Sequence, residues 1–241
     1  MNPVLLLTIV ALLAVIQSVF GVGLLFFGTP LLLILGSGYT ELLYVLLPAS
    51  LALSLLQLRF DHRVRPAEAG VVAMWTVPAI AAGMLGGLLL FDGLDIRYAV
   101  AALLVAVAVV RLVPVARERL RGWCARAGNP ALTGIALVHG LTNMGGGLLA
   151  VYAGARAESK TEIHRLVTLS YAWFALAQLV TLYAVNGLPA YGPGLFSPVV
   201  VAAAYALVGR SVYRGVSDRR YQTYFSVFML GGAGVLIWQA S

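Results

Sequence analysis

Charge is what this sequence has least of. Asp, Glu, Lys and Arg together make up 10% of its 241 residues, where a soluble domain carries about 25%. With 61% hydrophobic residues, the chain lacks the polar surface a water-soluble fold of this size needs. Cysteine is nearly absent as well. The single thiol, Cys124, cannot form an internal disulfide, and no Cys/His cluster has metal-ligand spacing. No cofactor or metal is therefore expected. The N-terminal stretch MNPVLLLTIVALLAVIQS has no basic residues ahead of its apolar run, so it reads as a retained membrane segment rather than a cleaved signal peptide. No Gly-x-Ser-x-Gly nucleophile accompanies a histidine, and no acidic dyad is present, so an intramembrane enzyme is disfavoured.

What the chain does have is apolar runs of about 20 residues from end to end, each long enough to cross a ~30 Å hydrocarbon layer. Eight can be read, near 3–35, 41–58, 68–91, 96–114, 130–155, 163–186, 196–209 and 222–239. The short alternating segments of a β-barrel are missing. The fold class is all-α and polytopic, with the lipid bilayer as the first partner. The formal charge of +7 would suggest nucleic acid in a soluble protein. Here it reads as topology, because Lys and Arg collect in cytoplasmic loops, and no nucleic-acid partner is expected.

Fifteen of the 16 Lys and Arg lie in the connections after segments 2, 4, 5 and 7; Arg97 stands apart. If every segment crosses once, the two sides receive equal shares. If segment 5 enters and returns on one side, the division becomes 15 to 1. The positive-inside rule favours the second arrangement. Segment 5 contains HGLTNMGGGLLAVYAG, and Gly145-Gly146-Gly147 supplies backbone freedom for a reversal. A shift of 124 residues lays Gly21-Val22-Gly23 over that triplet and Ser18 over Thr142. Each half then reads as a re-entrant or broken first segment plus three spans. Three is odd, so the halves would be inverted repeats, as in secondary transporters. This divides the chain into a first transmembrane repeat at 1–116, a basic cytoplasmic linker at 117–129 and an inverted second repeat at 130–241. Both termini would face outside the cell membrane.

Non-helical backbone survives in a bilayer only inside protein or lining a cavity. Two such tips meeting near the midplane would present unpaired N–H groups and the positive ends of helix dipoles, an anion site without a buried cation. The substrate-binding candidates are Gln17, Ser18, Gly21 and Gly23 in the first half, and His139, Thr142, Asn143, Gly145, Gly146 and Gly147 in the second. No catalytic residue is named. Gln57, Gln178, Tyr152 and Tyr171 are weaker candidates for the path. Each of these residues also has a structural reading: His139 as a packing histidine, Asn143 as a helix cap, and the glycines as small residues for close helix packing. No segment carries a charged residue near its middle, which favours a neutral or anionic solute. An anion exporter and a channel or facilitator for a small neutral or other anionic solute both fit. Nothing in the sequence marks an oligomer interface, and a homodimer is left open.

The stretches QSVFGVGLLFFGTPLL (17–32) and GLTNMGGGLLAVYAG (140–154) resemble the two glycine-rich signatures of the TauE/SafE sulfite-exporter family. Ser18, Gly21, Gly23 and Pro30 carry the first match; Gly140, Gly145, Gly146 and Gly147 carry the second. Leu24, Leu25 and Leu148 depart from the pattern. The resemblance implies an exporter of small sulfur-containing anions such as sulfite, sulfoacetate or another organosulfonate.

Overall fold

The computed structural model describes residues 1–90, 102, 105, 106, 113–188 and 192–217. Segment 8, most of segment 4, and Arg97, Arg111, Arg219 and Arg220 lie outside the described residues. Within them the chain is helical, without a strand. The helices are α1 (Pro3–Phe20), α2 (Leu24–Ile34), α3 (Tyr39–Phe60), α4 (Pro66–Leu90), α5 (Pro114–Ala127), α6 (Asn129–Thr142), α7 (Gly146–Arg156) and α8 (Lys160–Asn186). A last rod joins α9 (Ser197–Ala204) and α10 (Arg210–Gly215) through a π-helical turn, Tyr205–Gly209. Among the described residues, five stretches are long and apolar enough to span a membrane: Pro3–Phe20, Tyr39–Phe60, Pro66–Leu88, Lys160–Asn186 and Gly194–Gly215.

Segments 1 and 5 are both broken, and by the same device. α1 ends on Gly21, whose φ of 73° is left-handed and whose N–H returns to the Gln17 carbonyl at 2.8 Å. α6 ends on Asn143 at φ 61°, its N–H on the His139 carbonyl at 2.6 Å. Glycine and asparagine are the residues that adopt this conformation most readily. Two positions on, a Cβ at Gly23 would lie 2.7 Å from the Gln17 nitrogen and 2.9 Å from the Leu13 carbonyl. A Cβ at Gly145 would lie 2.7 Å from the His139 Cβ and 3.0 Å from the Ile135 carbonyl. The short helices that follow, α2 and α7, have 11 residues each. Every one of these pairs is offset by 122 positions, so the register of 124 read from the glycines is corrected. Gly21 matches Asn143, Gly23 matches Gly145 and Gln17 matches His139.

The halves interlock. α6 packs along α4 and α1 packs along α9 and α10, while α3 and α8 face each other at the centre. The α4–α6 crossing is backbone on backbone. Gly83 faces the Leu137 carbonyl, Gly140 faces the Ile80 carbonyl, and Gly87 would put a Cβ 2.9 Å from the Leu141 carbonyl. Small residues permit this approach where no hydrophobic force drives helices together. Outward faces carry Val4, Leu12, Leu55, Met74, Val180 and Leu207, whereas Gln17, Ser50, Gln57, His139, Asn143 and Gln178 are fully buried. A lipid solvent selects this distribution.

The stretch read as a basic linker is helical and belongs to α5. Pro114 occupies its first turn, and good helix formers follow it. Leu120, Cys124 and Ala127, at helical spacing, turn inward, while Arg117, Arg119 and Arg121 remain exposed. Burial pushes the Cys124 thiol up from its ordinary value. α5 lies on α7 and α6, and Gly128 faces the Arg156 guanidinium (3.3 Å from the Cβ position), so α6 begins where α7 ends. At this same end Glu68 pairs with Arg165, and Asp61 with Arg210 (3.3 Å) and Arg214 (3.8 Å). The described basic connections therefore gather at one end of the molecule.

Candidate functional site

Both breaks lie against α8. Gly21 faces Val167 and Thr168, and Gly146 faces Tyr171, three residues further on. Three residues of helix rise about 4.5 Å, so the breaks are neighbours. They are joined by the Asn143 amide, which donates to the Thr29 hydroxyl at 2.8 Å, and by Gly146 against Phe26.

At the first break the side chains of Gln17 and Ser18 are both engaged, while the Gln57 Oε1 beside them is buried without a partner. The Gln17 Oε1 accepts from the Leu24 N–H at 3.0 Å, satisfying a first-turn donor of α2. Its Nε2 donates to the Ser50 hydroxyl at 3.3 Å. Ser18 Oγ donates to the Ala14 carbonyl at 2.7 Å and packs against Gly209 in the π turn. The carbonyls of Gln17 and Ser18, left over at the end of α1, accept from Gln57 Nε2 at 3.3 and 3.2 Å. His164 Nε2 also meets the Ser18 carbonyl, at 3.0 Å, and His164 Nδ1 meets His62 Nε2 at 2.7 Å. Sequence reasoning named neither histidine, and it gave Gln57 only a minor place. Their partners across the fold lie 39 to 146 residues away, so no local pattern exposes them.

The second break uses the same frame and leaves it open. The Gly145 N–H donates to His139 Nδ1 at 3.0 Å, as the Leu24 N–H does to Gln17. That bond fixes the neutral tautomer, so His139 Nε2 carries the proton. Its proton is directed at the Gln178 side chain, while the Tyr171 hydroxyl, the Gln178 Nε2 and the Asn143 Oδ1 are buried without a partner. The His139 ring lies against Tyr171 (centroids 5.5 Å) and Phe174 (4.8 Å). The Tyr171 hydroxyl occupies the place where a side chain at position 146 would begin. Thr142 Oγ1 donates to the Val138 carbonyl at 2.8 Å and accepts from the Met144 N–H at 3.3 Å, so it serves the turn. Gly147 is buried in the first turn of α7, and Gly140 belongs to the crossing with α4.

A buried unpaired polar group costs about 1–3 kcal/mol, and such groups are rare in folded proteins. Two donors stand unpaired here, Tyr171 Oη against the N-terminus of α7 and Gln178 Nε2 beyond the His139 ring, with no charged side chain in the set. Neutral donors at the positive end of a helix dipole are suited to an anion that must also leave.

A family model described as sulfite exporter TauE/SafE matches residues 6–236, nearly the whole chain. No curated protein and no solved structure matches it.

Proposed function

The chain belongs to the sulfite exporter TauE/SafE family, and from that premise we propose that it exports a small sulfur-containing anion, such as sulfite, sulfoacetate or another organosulfonate, through the second break. The observation that carries this reading is the pair of unpartnered buried donors, Tyr171 Oη and Gln178 Nε2, on either side of the His139 ring. Sulfur oxyanions have several acceptor oxygens on one centre, which the Tyr171 hydroxyl, the His139–Gln178 pair and the first N–H groups of α7 would serve together. Asn143 orients the turn through Thr29. Gln17, Ser18, Gly21 and Gly23 frame the site from the first break through their backbone, because their side-chain donors are already engaged.

In this reading segments 1 and 5 are re-entrant, the halves are inverted repeats and the basic end faces the cytoplasm, with both termini outside. The adjacency of Gly128 and Arg156 supports it for segment 5. Transport needs no enzymatic step. One charge moving through 100 mV gains about 2.3 kcal/mol. At about 1.4 kcal/mol per tenfold, an inside-negative membrane drives a monovalent anion outward roughly 50-fold.

The test is efflux from proteoliposomes loaded in turn with sulfite, sulfoacetate and methanesulfonate, under a clamped potassium-diffusion potential. Efflux that rises as the interior becomes negative, and that falls in His139→Ala, supports anion export. Efflux of uncharged solutes without voltage dependence would establish the facilitator reading instead.

A further inference from the structure

The polar network of the first break does not end at the break. It continues through two buried histidines to the basic end of the molecule. His164 Nε2 lies 3.0 Å from the Ser18 carbonyl, which has no proton, so this nitrogen must be the donor. His164 Nδ1 is then a lone pair, and His62 Nε2–H donates to it at 2.7 Å. That leaves His62 Nδ1 as a buried lone pair without a partner. His62 lines an open polar pocket of about 610 Å³ formed by residues 58–64, including Arg59, Asp61 and Arg63. The donor order is forced along the whole line. One proton added at His62 Nδ1 leaves every hydrogen bond intact, with the charge shared between His62 Nε2 and His164 Nδ1.

We propose that His62 and His164 together form a proton-binding site, occupied when the clamp on Asp61 opens, through which protons are coupled to the movements of the transporter. In the present arrangement the charges oppose a bound proton. Lys160 and Arg165 act on the pair from α8, Arg59 and Arg63 border the pocket, and the Tyr213 ring lies 4.3 Å from His164. Thr168 and Gln57 also contact His164 and bring no charge. The carboxylate that acts on the pair is Asp61, next to His62 in sequence; Glu68, on α4, is taken up by Arg165. Asp61 is already held by the Tyr205 hydroxyl at 2.5 Å and by Arg210 and Arg214. Burial, opposed by Asp61 and reinforced by Arg165, pushes His62 down to about 4. If α9 and α10 move off the loop, Asp61 loses its two arginines and is left to pair with a protonated His62. Proton binding and opening of that end then favour each other, by the reciprocity that links any two equilibria.

Once the clamp on Asp61 opens, the proton enters from water in the pocket onto His62 Nδ1. As it does so the Nε2 proton passes to His164 Nδ1, and the reverse sequence returns it. No other group gains or loses a proton.

The chain has three histidines, so ring nitrogens labelled with 15N give three spin systems. His62 and His164 are expected to titrate as one pair, with His139 apart. His62→Asn or His164→Gln should shift the remaining ring's midpoint by about a pH unit or more. Two independent titrations, unmoved by either variant, overturn the proposal. The second arm rests on the transporter reading: anion efflux between pH 6 and pH 8, each variant normalised to its own rate at pH 8. A pH dependence present in the native protein and flat in both variants supports coupling; one that persists in both overturns it. If no sulfur anion moves at all, the export reading fails, and the ring titrations still decide the proton site.

Discussion

The two breaks are one structural idea used twice. Each has a left-handed cap, a glycine pressed on the preceding helix and a side chain four residues before the cap that reaches over to bond an N–H beyond it. At the first break that side chain is Gln17, both ends of which are satisfied. At the second it is His139, which spends one nitrogen on the turn and directs the other at Gln178, whose Nε2 and whose neighbour Tyr171 Oη are left unpaired. The shared frame makes the turns; the difference in saturation separates a closed joint from a receptive one.

The frame itself is the part most sensitive to change. Gly23→Ala and Gly145→Ala each force a methyl onto immobile backbone, and neither variant should elute as a monodisperse peak in detergent. If one survives, the two frames are unequal. Gln17→Leu strips the cap from a buried N–H and should cost about 1–3 kcal/mol. That lowers the melting temperature by several degrees while leaving anion affinity unchanged; a fall in affinity with no loss of stability would reverse the roles given to the two breaks. Tyr171→Phe removes a hydroxyl that stabilises nothing in the resting protein. Half-saturation for the anion should rise about tenfold, equivalent to ~1.4 kcal/mol, with no loss in melting temperature.

The closed break has a titrating tail that the open one lacks. His62 is held neutral down to about 4, chiefly by burial, whereas an unfolded histidine takes up its proton near 6.5. Stability should therefore be full above about pH 6.5 and fall as the pH drops toward 4, because the unfolded chain binds a proton that the folded chain refuses. Melting curves of His62→Asn should show a shallower slope over that interval than the native protein. The smallest effect concerns Cys124, fully buried with its thiol pushed up. Maleimide should label it slowly even in permeabilised cells, at a rate set by opening of α5.

The breaks were legible in the sequence because their causes are local: glycines and a capping asparagine interrupting apolar runs. The register was misread for a physical reason. Glycines were laid on glycines, but the position that needs a left-handed residue is filled by Gly21 in one half and by Asn143 in the other. Once those two are matched, Gln17 falls on His139. The role of α5 was missed because many arginines look like a solvated loop, while the inward stripe of Leu120, Cys124 and Ala127 is short. His62, His164 and the pairing of Asn143 with Thr29 depend on contacts between distant segments, and no periodicity reports those.

The glycine seam between α4 and α6 and the seat of Ser18 on Gly209 set a schedule for the ribosome. α6 is made after its partner α4 and can dock at once. α1 emerges first, yet the surface that covers Ser18 is among the last described parts of the chain to be made. At about 5–20 residues per second, the polar end of α1 waits roughly 10 to 40 seconds for its cover. During that interval the translocon, or another protein of the membrane, must shelter it, so the first helix is the point at which biogenesis of this chain is most exposed to failure.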